Sequence, residues 1–507
     1  MSKKVLAWID DGHINYGVCN SLQSSGYQLY AVFDVNHITK NFYKNQDKVQ
    51  FKKTWFWREH ISGKPHKPDM EYLTAFEKKY DINLWKLAYM ERRFLHFNEF
   101  HKFTRDEILS VTEDECKIFE KIIDDVNPDF LIIGVTDLHK NLLFKTLCEL
   151  KGVRVLMLYH TRFVTRSIIS RDYDSFDILD DGSESKRISK QDTEKFIESN
   201  NPRAATDTKF VNRAKKLGMV NLLRRSLETM SLMADKEYRQ YYENWGRTKL
   251  NYLKSKEFPL THIIKRNSRQ SFLDKHATQN PNLGIPFVYY PLQHEPERTI
   301  LLDAPFHTQQ IDVITNVSKS LPVQYQLYVK EHFSMRTEAW RDTSFYKQIL
   351  SLPNVTLVHP SVDSKSLIQN CSLVATITGT SALEAGFHNK PAIVFADASF
   401  SYLPFINKVT DIEKLPDIIK ESLTAKFDYS SIQGYVDLVE KNSIPINLMD
   451  IIYDISDQLH RYGGSFREVA ISEPQMNKFL TDHKTFFDSL ASEFINKIQI
   501  DSRKTII

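Results

Sequence analysis

The chain has 507 residues, 41% hydrophobic and 26% charged, enough to bury a large core and, at this length, to form about two to four domains. Lys and Arg number 67 against 64 Asp and Glu, a net charge of +3. That balance is too even for a protein whose main work is neutralising a nucleic-acid backbone, so nucleic acid is set aside as a partner. The four cysteines, Cys19, Cys116, Cys148 and Cys371, form no CxxC pair, which argues against a disulfide framework or a cysteine-built metal site. The apolar run at 5–9 ends at Asp10 and Asp11, too short for a signal-peptide core. No stretch approaches the roughly 20 apolar residues that cross a bilayer, and the cytoplasm is the expected location.

In chain order, 5–9 reads as a buried strand, a loop follows at Gly12, a helical pattern runs to about residue 25, and 28–34 reads as a second strand, a βαβ opening. Residues 49–103 are rich in aromatic and basic side chains, including Trp55, Trp57, Trp85 and Phe94, at mostly helical spacing. They read as an insertion of helices packed by aromatics or as a sugar-stacking surface. A helix over 105–126 ends before Pro128, a strand covers 130–134, a helix over 142–150 stops at Gly152, and 153–159 is the next strand. The first 180 residues thus predict one parallel-sheet, Rossmann-like domain.

Residues 181–282 read as a polar helical connector. Its stretch 211–257 carries eleven Lys and Arg against five Asp and Glu, a face suited either to anionic lipid headgroups or simply to solvent. From there strands at 286–290, 325–330, 355–358, 373–377 and 392–395 alternate with helices at 307–320, 340–350, 364–370 and 381–388, which predicts a doubly wound parallel sheet over 283–410. Residues 411–507 are amphipathic and helical, and are expected to pack back across both domains. The fold class is α/β: two Rossmann-like doubly wound domains, with ligands expected in a cleft at the C-terminal strand edges.

The loops at those edges carry the candidate chemistry. Thr376 to Glu384 runs from a β-branched strand through Gly379 into a helix; it is either an anion site, with Thr378, Thr380 and Ser381 hydroxyls at a helix start, or a plain cap with Glu384 closing a capping box. Lys330, Glu331 and His332 end a neighbouring strand and His359 ends the next, placing positive charge where a phosphate leaving group would need it. Residues 291–298 form a proline-stiffened loop holding His294, Glu295, Glu297 and Arg298, which reads as a ligand-positioning loop or an ion-paired turn.

The order Tyr290-Pro-Leu-Gln-His-Glu-Pro-Glu-Arg298, Leu327-Tyr-Val-Lys-Glu-His332, Pro353-Asn-Val-Thr-Leu-Val358 and Thr378-Gly-Thr-Ser-Ala-Leu-Glu-Ala385, followed by Lys390-Pro391, resembles the bacterial capsule polysaccharide synthesis family over about 285–400. That family includes transferases of Kdo, an acidic eight-carbon sugar, from CMP-Kdo, and its members are similar to two-domain GT-B glycosyltransferases. The resemblance implies that Lys330 and His332 sit near a donor phosphate, that Thr378, Gly379, Thr380 and Ser381 hold it, that Glu384 lies near the ribose and that Glu297 lines the cleft. The chain departs from the family where proline usually follows Lys-Glu-His, since position 333 is Phe.

In the N-terminal half, Asp10-Asp11-Gly12-His13 follows the first strand and Asp-Asp-Gly recurs at 180–182, resembling the acidic-acidic-Gly motif of bacterial sialyltransferases. A carboxylate there could act as general base on an acceptor hydroxyl or as a nucleophile, or the segment could be an ordinary turn; Asp137 and His139 at another strand end are rivals. The expected activity is a glycosyltransferase of surface-polysaccharide assembly using a nucleotide-sugar donor and a glycan or glycolipid acceptor, with a membrane surface as a further partner. No DxD-like metal motif stands out in the cleft loops, so metal independence and no cofactor beyond the donor are expected. An epimerase or hydrolase of the same fold, and a non-catalytic assembly protein, are the alternatives.

Overall fold

The structure, a computed structural model, describes residues 2–61, 66–92, 94–95, 102–177, 189–200, 227, 259–295, 297–332, 335, 341–425, 428–460 and 470–499. The described residues within 1–183 and 442–507 make up one compact unit, and those within 184–215 and 252–441 a second.

In the first unit, strand β1 (Lys4–Asp10) is buried through its middle, and its pleat sends alternate side chains to opposite faces. Val5, Ala7 and Ile9 join a core with Tyr16 and Val18 of helix Ile14–Leu22 and with Phe487, Leu490 and Phe494 of helix Lys484–Gln499. Trp8 packs the other way, its ring 5.9 Å from Phe119 and 5.2 Å from Phe144, on helices Arg105–Val126 and His139–Leu150. The remaining strands are β2 (Gln28–Asp34), β3 (Lys53–Phe56), β4 (Phe130–Ile133), β5 (Arg154–His160) and β6 (Ser167–Ser170), in spatial order β3-β2-β1-β4-β5-β6. Every pairing is parallel except β5 with β6.

Two of these strands differ from the sequence expectation. β3 lies inside the stretch read as mostly helical, pairing in parallel with β2; Trp55, among the aromatics that suggested helix packing, and its neighbour Phe56 are also strong strand formers on a half-buried edge. β6 adds an antiparallel edge to a sheet expected to be wholly parallel, a common termination of doubly wound sheets. Among the aromatics, Trp55, Trp57 and Phe94 are buried whereas Trp85 is exposed.

In the second unit, β7 (Phe287–Pro291), β8 (Gln326–Lys330), β9 (Val355–Val358), β10 (Leu373–Thr376), β11 (Ala392–Val394) and β12 (Ile406–Lys408) form an all-parallel sheet in the order β12-β11-β10-β7-β8-β9. Tyr290, Val329, Leu357, Ala375 and Ile393 converge in its core. β12, three residues long, is too short to leave a periodic signal. The helices Lys190–Asn200 and Pro259–His276, from the stretch read as a connector, belong to this unit. Apart from residue 227, the basic stretch 211–257 lies outside the described residues, as does the second Asp-Asp-Gly at 180–182. The segment after 411 is divided: helix Leu415–Thr424 lies in the second unit, whereas Leu448–Gln458, Glu473–Asp482 and Lys484–Gln499 lie in the first.

Both sheets reverse their winding direction once, between β1 and β4 and between β7 and β10. The crevice outside the carboxyl ends of the strands at such a reversal is where open α/β sheets bind ligands. No described helix is long and apolar enough to cross a membrane.

The helix Ile14–Leu22 approaches Lys484–Gln499 so closely that a Cβ on Gly17 would stand 2.2 Å from Phe487 Cε1. Gly17→Ala is expected to lower stability by about 1–3 kcal/mol through overpacking, read as a shifted urea midpoint. An unchanged midpoint would show that the C-terminal helix is not held against this one.

Candidate functional site

In the first unit, Asp10 ends β1 in register with Asp34 at the end of β2. The Asp10 carboxylate accepts the Gly12 amide at 2.9 Å and its carbonyl accepts the His13 amide at 3.1 Å. This turn throws His13 to a φ of 54°, uncommon for a residue with a Cβ. His13 is fully buried, with Nδ1 2.6 Å from the Tyr43 hydroxyl and its ring stacked on His460 at 5.5 Å; its Nε2 has no hydrogen-bond partner. Asp11 accepts from the Asn36 backbone amide at 3.2 Å and side-chain amide at 3.0 Å, while its carbonyl takes the His460 Nε2–H at 3.2 Å.

The electrostatics divide these carboxylates into two kinds. Burial opposes ionisation of Asp34, yet Lys140 at 2.6 Å and Arg58 at 3.2 Å outweigh it and hold the carboxyl below the usual carboxylate range, with Trp57 Nε1 donating at 2.6 Å. Asp11 is pushed up to about 7 by burial, the Arg58 guanidinium and the Asn36 amide opposing the rise and Asp34 and Asp10 adding to it. Asp10 is pushed up to about 6, again chiefly by burial, with the carboxylates Asp137 and Asp34 contributing. A carboxylate that titrates near neutrality is suited to take a proton from a hydroxyl. His13 and His460 are both pushed down, chiefly by burial, which favours the neutral form of each ring. Asp137 is half-exposed, 3.9 Å from Arg92.

His139, with Asp137 a rival of the Asp10-Asp11 loop in sequence, is committed elsewhere. Nδ1 meets Glu91 at 2.5 Å and Nε2 meets Glu115 at 2.7 Å, all three side chains being buried. Burial alone would lower its pKa; the Glu115 and Glu91 carboxylates reverse that and push it up to about 10. It is a structural imidazolium rather than a proton shuttle.

In the second unit, Lys330 ends β8 with its buried Nζ donating to Ser364 Oγ at 2.6 Å. His332 is exposed, its ring edge-on to His294 at 5.8 Å. His359 is buried with both nitrogens engaged, Nε2 with Asp274 at 3.0 Å and Nδ1 with Ser361 Oγ at 2.6 Å. That makes it a clamp from the end of β9 to helix Pro259–His276. Glu297 is exposed and accepts from Thr299 Oγ1 at 3.1 Å.

The turn after β10 is buried at Thr378 and half-buried at Gly379 and Thr380. Thr378 Oγ1 donates toward Gln293 Oε1 at 3.3 Å, and the Gly379 amide donates to Thr376 Oγ1 at 3.2 Å. Thr380 makes no side-chain cap of the seven-residue helix Ser381–Phe387, so the capping box considered from the sequence is not formed. Ser381 is buried at the helix start and Glu384 half-buried in its first turn.

Sequence reasoning missed the groups that arrange these loops. The guanidinium satisfying the 291–298 loop is Arg341, bonded to Glu295, Glu331 and the Gln293 carbonyl, whereas Arg298 pairs with Asp303. Asp34 was legible, since it ends a predicted strand beside Asp10. His460, Tyr43 and Arg341 carry no local signal at all. Among the described residues, no cluster of His, Cys, Asp and Glu could hold a metal ion.

Residues 180–411 match the family model for capsule polysaccharide biosynthesis proteins. No curated protein matches the chain. Among solved structures, KpsC from Thermosulfurimonas dismutans, a beta Kdo 2,7 transferase, is 13% identical at a TM-score of 0.29, covering 70% of this chain and 87% of that one. A second KpsC structure, a beta Kdo 2,4 transferase from the same organism, is 8% identical at 0.29, covering 60% and 78%. UDP-GlcNAc 2-epimerase from Neisseria meningitidis bound to UDP-GlcNAc is 10% identical at 0.26, covering 87% and 100%. These structural likenesses are faint, and the α/β layout stands on the two sheets of the chain itself. The stretch similar to capsule polysaccharide biosynthesis proteins, residues 180–411, includes Gln293, Lys330, His332, Thr380, Ser381 and Glu384.

Proposed function

We propose that the protein is a glycosyltransferase of capsule or surface-polysaccharide assembly, using a nucleotide-activated sugar of the CMP-Kdo kind. The observation that carries this reading is the family match over 180–411, because the matched stretch contains the whole β7–β10 reversal of the second unit. There Lys330 supplies positive charge, the Thr380 and Ser381 hydroxyls donate to phosphate oxygens, Glu384 accepts a ribose hydroxyl, and His332 and Glu297 are exposed to the reacting sugar. Thr378 and Gly379 shape the turn and His359 braces the sheet edge, in keeping with their internal bonds.

The reading of the first unit is supported by the raised titration of Asp11 and Asp10. Asp11, with Asp10 beside it, takes the proton from an acceptor hydroxyl. The freed oxygen forms the bond to the anomeric carbon, and the bond from that carbon to phosphate breaks, its electron pair leaving with the nucleotide. Asp137 and Arg92 contact the glycan or glycolipid acceptor.

Thermal melts of the whole protein with CMP-, UDP- and GDP-sugars test the donor: one nucleotide class is expected to raise the melting temperature, and Lys330→Ala to weaken that effect. Stabilisation by none of them would overturn the reading. Nucleotide release is expected to require acceptor; free or epimerised sugar formed at useful turnover without it would reassign the protein to the hydrolases or epimerases.

A further inference from the structure

The β7–β10 reversal is crossed by a chain of buried polar groups in which Arg341, Tyr346 and Gln310, members of none of the sequence motifs, tie Glu331 and Gln293 together. It starts at Glu331, which bonds both the Tyr346 hydroxyl and Arg341. Arg341 Nη2 then donates to the Gln293 carbonyl at 2.7 Å. Gln310 closes on the same residue, its Oε1 accepting the Gln293 amide at 2.8 Å and its Nε2 reaching the Gln293 carbonyl at 3.2 Å. With its backbone so held, the buried Gln293 directs its carboxamide from the β7 loop to the β10 turn: Nε2 donates to Thr376 Oγ1 and Oε1 accepts from Thr378 Oγ1, each at 3.3 Å. Thr376 Oγ1 also accepts the Gly379 amide at 3.2 Å. Glycine is required there, since a Cβ would stand 2.5 Å from Thr376 Oγ1 and 3.5 Å from Gln293 Nε2.

We propose that Gln293 is a positioning residue for the nucleotide donor, its carboxamide locking the 376–379 turn so that Thr380 and Ser381 are presented in one preset conformation. The inference rests on the donor-site reading above. A carboxamide offers a donor and an acceptor from one planar end, which is what two hydroxyls on one turn demand. Because the Thr378 proton and the Gly379 amide are spent inside the turn, these groups shape the loop and leave phosphate contact to the residues that follow. A turn already held in its bound conformation binds ligand with less ordering loss.

The test uses the whole protein, with Gln293→Met, which keeps the side-chain length but neither hydrogen bond, Thr376→Val, and the double variant. CMP, UDP and GDP are titrated by calorimetry, and donor KM and kcat are measured with the matching sugar. Gln293→Met is expected to raise the nucleotide Kd and the donor KM roughly tenfold to thirtyfold, the effect of losing two buried hydrogen bonds, with kcat changed less than about threefold. Thr376→Val should behave alike, and the double variant should be no weaker than the worse single, because both break one linkage. Unchanged affinity in Gln293→Met while the wild type binds nucleotide would overturn the positioning role and leave the donor reading intact. Additive losses that track a falling melting temperature would reduce Gln293 to a fold-stabilising residue and overturn it too. A wild type that binds none of the three nucleotides would overturn the donor reading itself, and this inference with it.

Discussion

Asp11→Asn is expected to lower sugar transfer by about 10²–10⁴-fold, the usual contribution of a positioned general base, while leaving nucleotide affinity unchanged. Asparagine keeps the size of the side chain and an oxygen to accept from Asn36, so the loss should fall on kcat. In the wild type, kcat/KM should rise with pH along a limb near 7, where Asp11 loses its proton. A limb near 6 that survives Asp11→Asn and disappears in Asp10→Asn would move the role to Asp10. Full activity in both variants would remove the base from this loop altogether.

The same carboxylates make a stability prediction of definite sign. Both have folded-state values raised above 3.8, so the native state holds protons that the unfolded chain has already released. Their contribution is full below about 3.8 and is lost as pH rises through about 6 and 7. Urea melts should therefore find Asp11→Asn more stable than wild type at pH 8, though slower in transfer. This is the trade expected where a group is kept in an unfavourable setting for its chemistry. An Asp11→Asn variant that is less stable at pH 8 would contradict the raised value.

His139→Gln is expected to destabilise the protein by about 3–5 kcal/mol, because removing the cation leaves Glu91 and Glu115 buried without it. His139 opens helix His139–Leu150, and Lys140, next along that helix, holds Asp34. The change should therefore also disturb the acid loop. Linkage gives a second readout: with a folded-state value of about 10 against an ordinary 6.5, the stabilisation is complete below about 6.5 and is lost as pH climbs toward 10. Wild type should weaken over that range in urea melts and His139→Gln should follow a flatter course. Equal slopes would mean that the imidazole is neutral in the fold.

The second unit was the more legible half. Its strands are short apolar runs separated by helices of ordinary length, and the predicted 325–330 and 355–358 differ from β8 and β9 by a residue at most. That regularity follows from a parallel sheet buried on both faces, which requires continuous apolar strands and crossover helices. The first unit hid β3 among aromatics suited to helix or strand, and β6 because an antiparallel edge strand needs no helical crossover to announce it. Lys330, Thr380 and Ser381 could be named because they follow strands directly. Arg341, Gln310 and His460 could not, because their importance comes from the carbonyls and amides they reach.

From sequence alone, periodicity established two α/β sheets and put Asp10, Asp11, Lys330 and Thr378 to Ser381 at strand ends, because a strand's direction fixes which end its following loop occupies. Tertiary structure alone decided which of those groups are turned inward, which carboxylates titrate near neutrality and which imidazole is locked between two glutamates. Hydrogen-bond direction and desolvation depend on neighbours distant in the chain, such as His460 on Asp11 and Arg341 on Gln293, and no local pattern encodes them.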